Sequence, residues 1–165
     1  MIEFIQKLIE TLREELQQYG EMLARLDDQQ QLVKRRAAEA AMNSVPLLQS
    51  QSALLTRVRG ARFSAMKELC AQMKLPDNAT FRELVPQLPN DYQPLVEALV
   101  QENNELLQRI HQRARQNHIL LTRTIESMQH VINSLGIHRP TPVYNDAGNV
   151  FVPTNAQPAI YEAVC

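Results

Sequence analysis

The residues able to do chemistry are few and poorly assembled. His111 and His118 stand seven apart, which puts both on one face of a helix. No carboxylate falls at ligand spacing beside either, and the His-Glu-x-x-His signature of a helical zinc site is absent. His130 and His138 are the remaining histidines. Cys70 and Cys165 are the only cysteines, with no Cys-x-x-Cys pair for zinc or redox exchange. Cys70 lies among apolar helical positions, where a thiol acts as a small hydrophobe. Serines and threonines are scattered, without a Gly-x-Ser-x-Gly elbow. The 4 glycines form no phosphate-cradling loop. No enzyme activity, metal or cofactor is expected.

Basic residues cluster at Lys34-Arg35-Arg36, at Arg57, Arg59 and Arg62, and at Arg109, Arg113, Arg115 and Arg123. Acids lie near each cluster and no aromatics interleave to stack on bases. With 17 Lys and Arg against 18 Asp and Glu, the formal net charge is −1. Solvated helix flanks are expected from these clusters, not nucleic-acid binding. The polar face of the first helix mixes Glu and Lys, which also argues against a membrane-surface role.

A third kind of polar residue is placed more pointedly. Gln30, Asn103 and Asn117 occupy positions in apolar helical stripes that would otherwise take Leu or Ile. A buried amide there costs stability but fixes register and partner alignment; the alternative is a wet edge of the stripe.

The elements that carry these residues are helices. Aromatics make up 5% of the chain and Trp is absent, so a sandwich or barrel has too little strand-forming material. Scarce glycine equally disfavours a dinucleotide-binding fold. An apolar share of 44% suffices for a core. Residues 2–41 carry Ile2, Ile5, Ile9, Leu12, Leu16, Tyr19, Leu23, Leu26, Gln30, Val33, Ala37 and Ala40 at 3-4 spacing, the repeat of a supercoiled seam. Asn43-Ser44-Val45-Pro46 is the first expected break, with Asp27 to Gln31 as a softer alternative. A second helix is expected over 46–74, with Leu48, Leu55, Val58, Ala65, Leu69 and Met73 on one side. Pro76, Pro86, Pro89 and Pro94 then mark a connector. Inside it Thr80-Phe81-Arg82-Glu83 reads as a capping box opening a short helix over 80–88. The third long helix is expected over 91–135. Its stripe of Val96, Val100, Asn103, Leu107, Ile110, Ala114, Asn117, Leu121, Thr124, Met128, Val131 and Leu135 is widened by Leu99, Leu106, Leu120, Ile125 and Ile132. Gly136 is placed to cap it.

The expected architecture is therefore all-α. Three long helices form an elongated antiparallel bundle or coiled coil over 1–136, with a short connector helix and a flexible tail over 137–165. The broad stripes could close internally or against a second copy, a homodimer. The tail carries Pro140, Pro142, Pro153 and Pro158 among Val143, Tyr144, Val150, Phe151, Val152, Ile160 and Tyr161. Extended sticky segments around a turn at Asn145 to Gly148 are expected there, suited to a partner's groove or sheet edge. No apolar run reaches the ~18 residues of a membrane span. Met1 to Lys7 carries an early acid and no small-residue cleavage site. No signal peptide is expected, and a cytoplasmic, reduced protein is the simplest reading.

The layout also resembles a known family. Asn117-His118-Ile119-Leu120-Leu121, then Pro140-Thr141-Pro142-Val143-Tyr144-Asn145-Asp146-Ala147-Gly148, are similar to the Asn-x-x-Leu-Leu segment and Pro-Thr-x-Tyr-x-x-x-Gly ending of the FlgN-like flagellar export chaperones. The connector from Leu75-Pro76 through Thr80-Phe81-Arg82-Glu83-Leu84 fits as well, so the resemblance spans about residues 2–150. It departs at Pro46, where the family usually continues its second helix. The resemblance implies a cytosolic, non-enzymatic chaperone. It would bind the hook–filament junction proteins, FlgK-like and FlgL-like, prevent their self-association, and hand them to the FlhA-like export gate. By matching position it implies gate docking by Tyr144 with Val143 and Gly148. Client binding is expected at Asn117, Leu121, Ile125, Met128, Ile132 and Leu135, where an amphipathic client helix could lie along the stripe. The rival reading is a structural coiled-coil scaffold or tether without a secreted client.

Overall fold

The structure, a computed structural model, describes residues 1–76 and 78–135 and the backbone of 143–144 and 150–151. Helices dominate: α1 (Ile2–Lys34), α2 (Ala38–Gln72), α3 (Phe81–Leu84) running into a 3-10 turn (Val85–Gln87), and α4 (Gln93–Ser134). The chain divides into two compact units, Met1–Thr124 and Ile125–Cys165.

The first helix break is not where the sequence placed it. Neither 43–46 nor 27–31 is a turn; α1 ends at Lys34 and α2 begins at Ala38. The stop is built from the backbone. Arg36 sits at φ 56°, its N–H donates to the Val33 carbonyl, and the Ala37 N–H donates to the Leu32 carbonyl. That pair of bonds is a Schellman motif, in which glycine usually takes the left-handed position. The same device ends α2. Lys74 adopts φ 57°, Leu75 donates back to Cys70, and the Leu75 side chain packs against the core. A basic residue in the left-handed position gives no glycine or proline signal, but its charge favours a helix carboxyl end. Ala37 and Ala40 consequently leave the expected α1 seam for the turn and α2. Pro46 lies within α2 on an exposed position. Met42, whose carbonyl would lose its N–H partner, is 73% exposed, so water can take that bond.

The connector follows expectation at its start. Glu83 Oε2 accepts from the Thr80 N–H at 2.7 Å, completing the capping box. That backbone hydrogen bond holds the Glu83 carboxyl below its ordinary pKa. The helix it opens is short, 81–84, because Pro86 follows and the chain tightens to a 3-10 turn.

Within Met1–Thr124, α1 and α2 run antiparallel, as cross-helix partners descend on one while ascending on the other. Lys7 bonds Glu68, Glu15 meets Arg62, Gln18 accepts from Gln51, and Gln29 bonds Ser44. α4 runs parallel to α1: Asn103 Nδ2 donates to the Leu12 carbonyl at 3.0 Å and Asn117 Nδ2 to the Leu26 carbonyl at 2.7 Å, both across 91 residues. α1 buries a wider face than the expected seam. Ile5, Leu12, Tyr19, Leu26 and Val33 recur every seven residues, and so do Leu8, Glu15, Met22 and Gln29. The second set, absent from the expected stripe, includes the residues that meet α2. Ile2 is 56% exposed.

The core forms two apolar clusters. One gathers Ile5, Leu8, Leu12, Leu69, Leu84 and Val96; the other gathers Tyr19, Met22, Leu26, Leu55 and Ile110. Cys70 is buried in the first. Beyond Ile125, the expected Gly136 cap and all but four residues of the tail lie outside the described residues. Backbone pairing there is antiparallel, Val143 with Phe151 and Tyr144 with Val150, on either side of the expected turn at 145–148.

Arg36→Gly should stabilise the protein by about 0.5–1 kcal/mol, because glycine adopts the left-handed conformation without the Cβ penalty. The urea midpoint checks this, and an unchanged or lower midpoint would contradict it.

Candidate functional site

A polar layer separates the two apolar clusters. Glu15 is only 3% exposed on α1. Its carboxylate lies 2.6 Å from Arg62 Nε and 3.6 Å from Arg59 Nε, and accepts the Tyr19 hydroxyl at 2.9 Å. The Arg62 contact is an ion pair without an aligned hydrogen bond. Arg59 Nε donates to Tyr19 Oη at 2.8 Å, and its guanidinium lies over the Tyr19 ring. Arg62 likewise lies over the ring of Phe81. A carboxylate this buried is tolerable only with such partners. Burial, then the hydrogen bond to Glu15, raises the Tyr19 pKa above the ordinary tyrosine value. Sequence reasoning missed this layer. Its signal is the seven-residue spacing that puts Glu15 between Leu8 and Met22.

The amides at stripe positions are buried. Gln30, Asn103 and Asn117 lie inside the first unit. Asn103 also donates to the Leu99 carbonyl at 2.9 Å, and Asn117 to Gln29 Oε1 at 3.2 Å. Gln30 Oε1 accepts from Arg113, which pairs with Asp27 at 2.5 Å. Arg59, Arg62 and Arg113 thus have acidic partners within the protein.

The second arrangement is the carboxyl end of α4. Carrying the 91-residue offset forward sets Val33 beside Thr124, and α1 ends one residue later. Past Thr124, α4 presents Ile125, Met128, Val131, Ile132 and Leu135 to solvent at 44–68% exposure. Their spacing of three and four keeps them on one face. Of the sequence-selected client residues, Ile125, Met128, Ile132 and Leu135 share this face. Leu121 is half-buried, and Asn117 is 2% exposed with its amide committed to α1 and Gln29. Val143 and Tyr144 are described by backbone alone, and Gly148 lies outside the described residues. His111, His118 and His130 are exposed on α4, and His138 lies outside the described residues. Among the described residues, no three His, Cys, Asp or Glu side chains gather as a metal site, and no helix is long and apolar enough to cross a membrane.

These features define a class: an α-helical protein with a polar-layered core and an uncovered apolar helix face. Comparison with protein families narrows it, since the FlgN protein family model matches residues 1–150. The chain belongs to the FlgN family, a family of flagellar export chaperones and not of enzymes. The family suggested by the Asn-x-x-Leu-Leu and Tyr-to-Gly segments is therefore the family found. No curated protein and no solved structure matched the chain.

Glu15→Ala strands two guanidinium groups and a buried hydroxyl. It should cost about 2 kcal/mol, less than a fully buried pair because Arg59 is half-exposed and can rehydrate, as read by urea denaturation. Tyr19 gives a pH signature. Its folded pKa is raised, so its contribution is complete below the unfolded pKa of about 10 and is lost as pH rises through the folded value. Urea midpoints should fall less steeply between neutral and strongly alkaline pH in Tyr19→Phe than in the natural protein.

Proposed function

We propose that this chaperone works in the cytoplasm on the hook–filament junction proteins, FlgK-like and FlgL-like, and delivers them to the FlhA-like export gate. The observation that carries the reading is the apolar face of α4 beyond Thr124. Ile125, Met128, Ile132 and Leu135, with Val131, offer an amphipathic client helix the contacts that α1 supplies earlier along α4. Leu121 and Asn117 mark where that face meets the packed part of the helix. Met128 suits such a role, since an unbranched thioether adapts to imperfect partners. A client helix that orders only when bound spends part of its contact energy on ordering, which keeps capture reversible. An export chaperone must release its cargo, so modest affinity fits the task.

The tail supplies the gate contact in this reading. Tyr144 has a ring for apolar area and a hydroxyl for a hydrogen bond, and it stands between Val143 and the segment Asn145-Asp146-Ala147-Gly148 in the sequence. Nearby prolines lower the ordering cost. A terminal helix of the junction protein would thus be held by α4 while the tail engages the gate.

Met128→Glu combined with Ile132→Glu should abolish co-purification of the FlgK-like and FlgL-like proteins while helicity by circular dichroism stays unchanged; undiminished capture would remove this surface from the mechanism. Deletion of 137–165 should leave capture intact and abolish delivery, measured as junction protein in the culture medium. A cargo-free scaffold would tolerate the deletion.

A further inference from the structure

On its solvent side α2 is unlike the other two long helices. A surface helix normally carries charge on the face turned away from the core. α1 and α4 go no more than eight residues without an Asp, Glu, Lys or Arg, whereas residues 40–56 of α2 hold none. Over this stretch Ala41, Gln51 and Leu55 turn inward. The opposite face runs through Glu39, Met42, Pro46, Ser50, Ala53 and Arg57 at spacings of three and four. All six are exposed, and Met42 is the most exposed large apolar side chain among the described residues, at 73%. Ser50 and Ala53 keep the middle of the face low enough for another backbone to come close. The ends of the run carry opposite charges. Glu39 and Arg57 stand eighteen residues apart, five full turns, so they point the same way with about 27 Å of helix between them. Neither has an ion pair or a side-chain hydrogen bond among the described residues.

We infer that this face of α2 docks on the same face of a second copy of the chain, antiparallel, about a two-fold axis at the level of Leu48. Leu48 lies midway between Glu39 and Arg57, so the pairing sets Glu39 opposite Arg57 of the second copy. Two-fold symmetry repeats that pair at the other end, and one charge pattern closes both ends of the contact. Between them Pro46 comes level with Ser50 of the second copy, and Met42 packs beside its small Ala53. A parallel pairing would set Glu39 on Glu39 and Arg57 on Arg57, so the charges select the antiparallel arrangement. A partner of different sequence would not call for opposite charges placed equally far from one centre. An interface of this length is at the small end of stable ones, so monomer and dimer exchange in the micromolar range. The surface is separate from the carboxyl end of α4 and does not rest on the client reading.

The test is sedimentation equilibrium of the full chain over a range of concentrations, with circular dichroism on every variant. The mass should rise with concentration from the 18.9 kDa of one chain towards twice that value. Ser50→Glu, which sets two like charges beside the axis, should hold the protein monomeric with helicity unchanged. Glu39→Arg alone and Arg57→Glu alone should each raise the dimer dissociation constant about tenfold, since each replaces two attractions by two repulsions. Joining the two reversals in one chain should restore the dimer, and so should mixing the two single variants, which pair only with each other. Met128→Glu with Ile132→Glu should leave the dimer intact. A protein that stays monomeric to millimolar concentration overturns the inference. So does a dimer indifferent to Ser50→Glu, a double reversal that fails to restore it, or a dimer lost with Met128→Glu and Ile132→Glu, which would place the contact on α4.

Discussion

Two asparagine amides decide how α4 lies on α1. Asn103 and Asn117 reach across the seam to main-chain carbonyls of Leu12 and Leu26, and both are almost wholly buried. The buried Nδ2 donors reach those carbonyls only if α4 presents one face to α1, so the bonds orient the helix as well as attach it, while both Oδ1 atoms stay buried without a hydrogen-bond partner. Within Met1–Thr124 that face carries the buried Ile110 beside Asn103 and Asn117, and past Thr124 α4 exposes Ile125, Met128 and Ile132. An apolar helix end left open in this way is costly in a protein with no use for it. In a member of an export-chaperone family, the use we propose for it is to hold a client helix.

The polar layer around Glu15 does a related job on the other side of α1. It interrupts an otherwise apolar core and joins α1 to α2 through Arg59, Arg62 and Tyr19. Buried ionic groups add little net stability against a well-packed apolar alternative, but they penalise every arrangement that leaves them unpaired. The two helices are thereby matched at that level, with an apolar cluster on each side.

Much of this was legible in the residues. The apolar repeat of α1, the amides at stripe positions, the Thr80–Glu83 capping box and the long α4 all follow from spacing and side-chain chemistry. The family was legible too, in segments on and after α4. The α1–α2 turn was not. Sequence reasoning looks for glycine or proline at a helix stop, and here Arg36 takes the left-handed position while Pro46 rides inside α2. The error lengthened the expected first helix by seven residues, one heptad, from Lys34 to 41. Glu15 escaped notice for a different reason. A lone acid in an apolar stripe looks like a surface residue until the partner helix supplies its cations.

Main-chain carbonyls recur with each heptad, so the clamp made by Asn103 and Asn117 has no memory of which heptad it grips. Moving α4 along α1 by seven residues, about 10 Å, would offer each amide another carbonyl. Apolar packing of Val96 and Leu84 with Ile5 and Leu8 opposes that slide, and so do side-chain pairs near the end of α1: Gln29 with Asn117, and Asp27 and Gln30 with Arg113. The seam is in this sense a rack, and those three residues are part of its pawl.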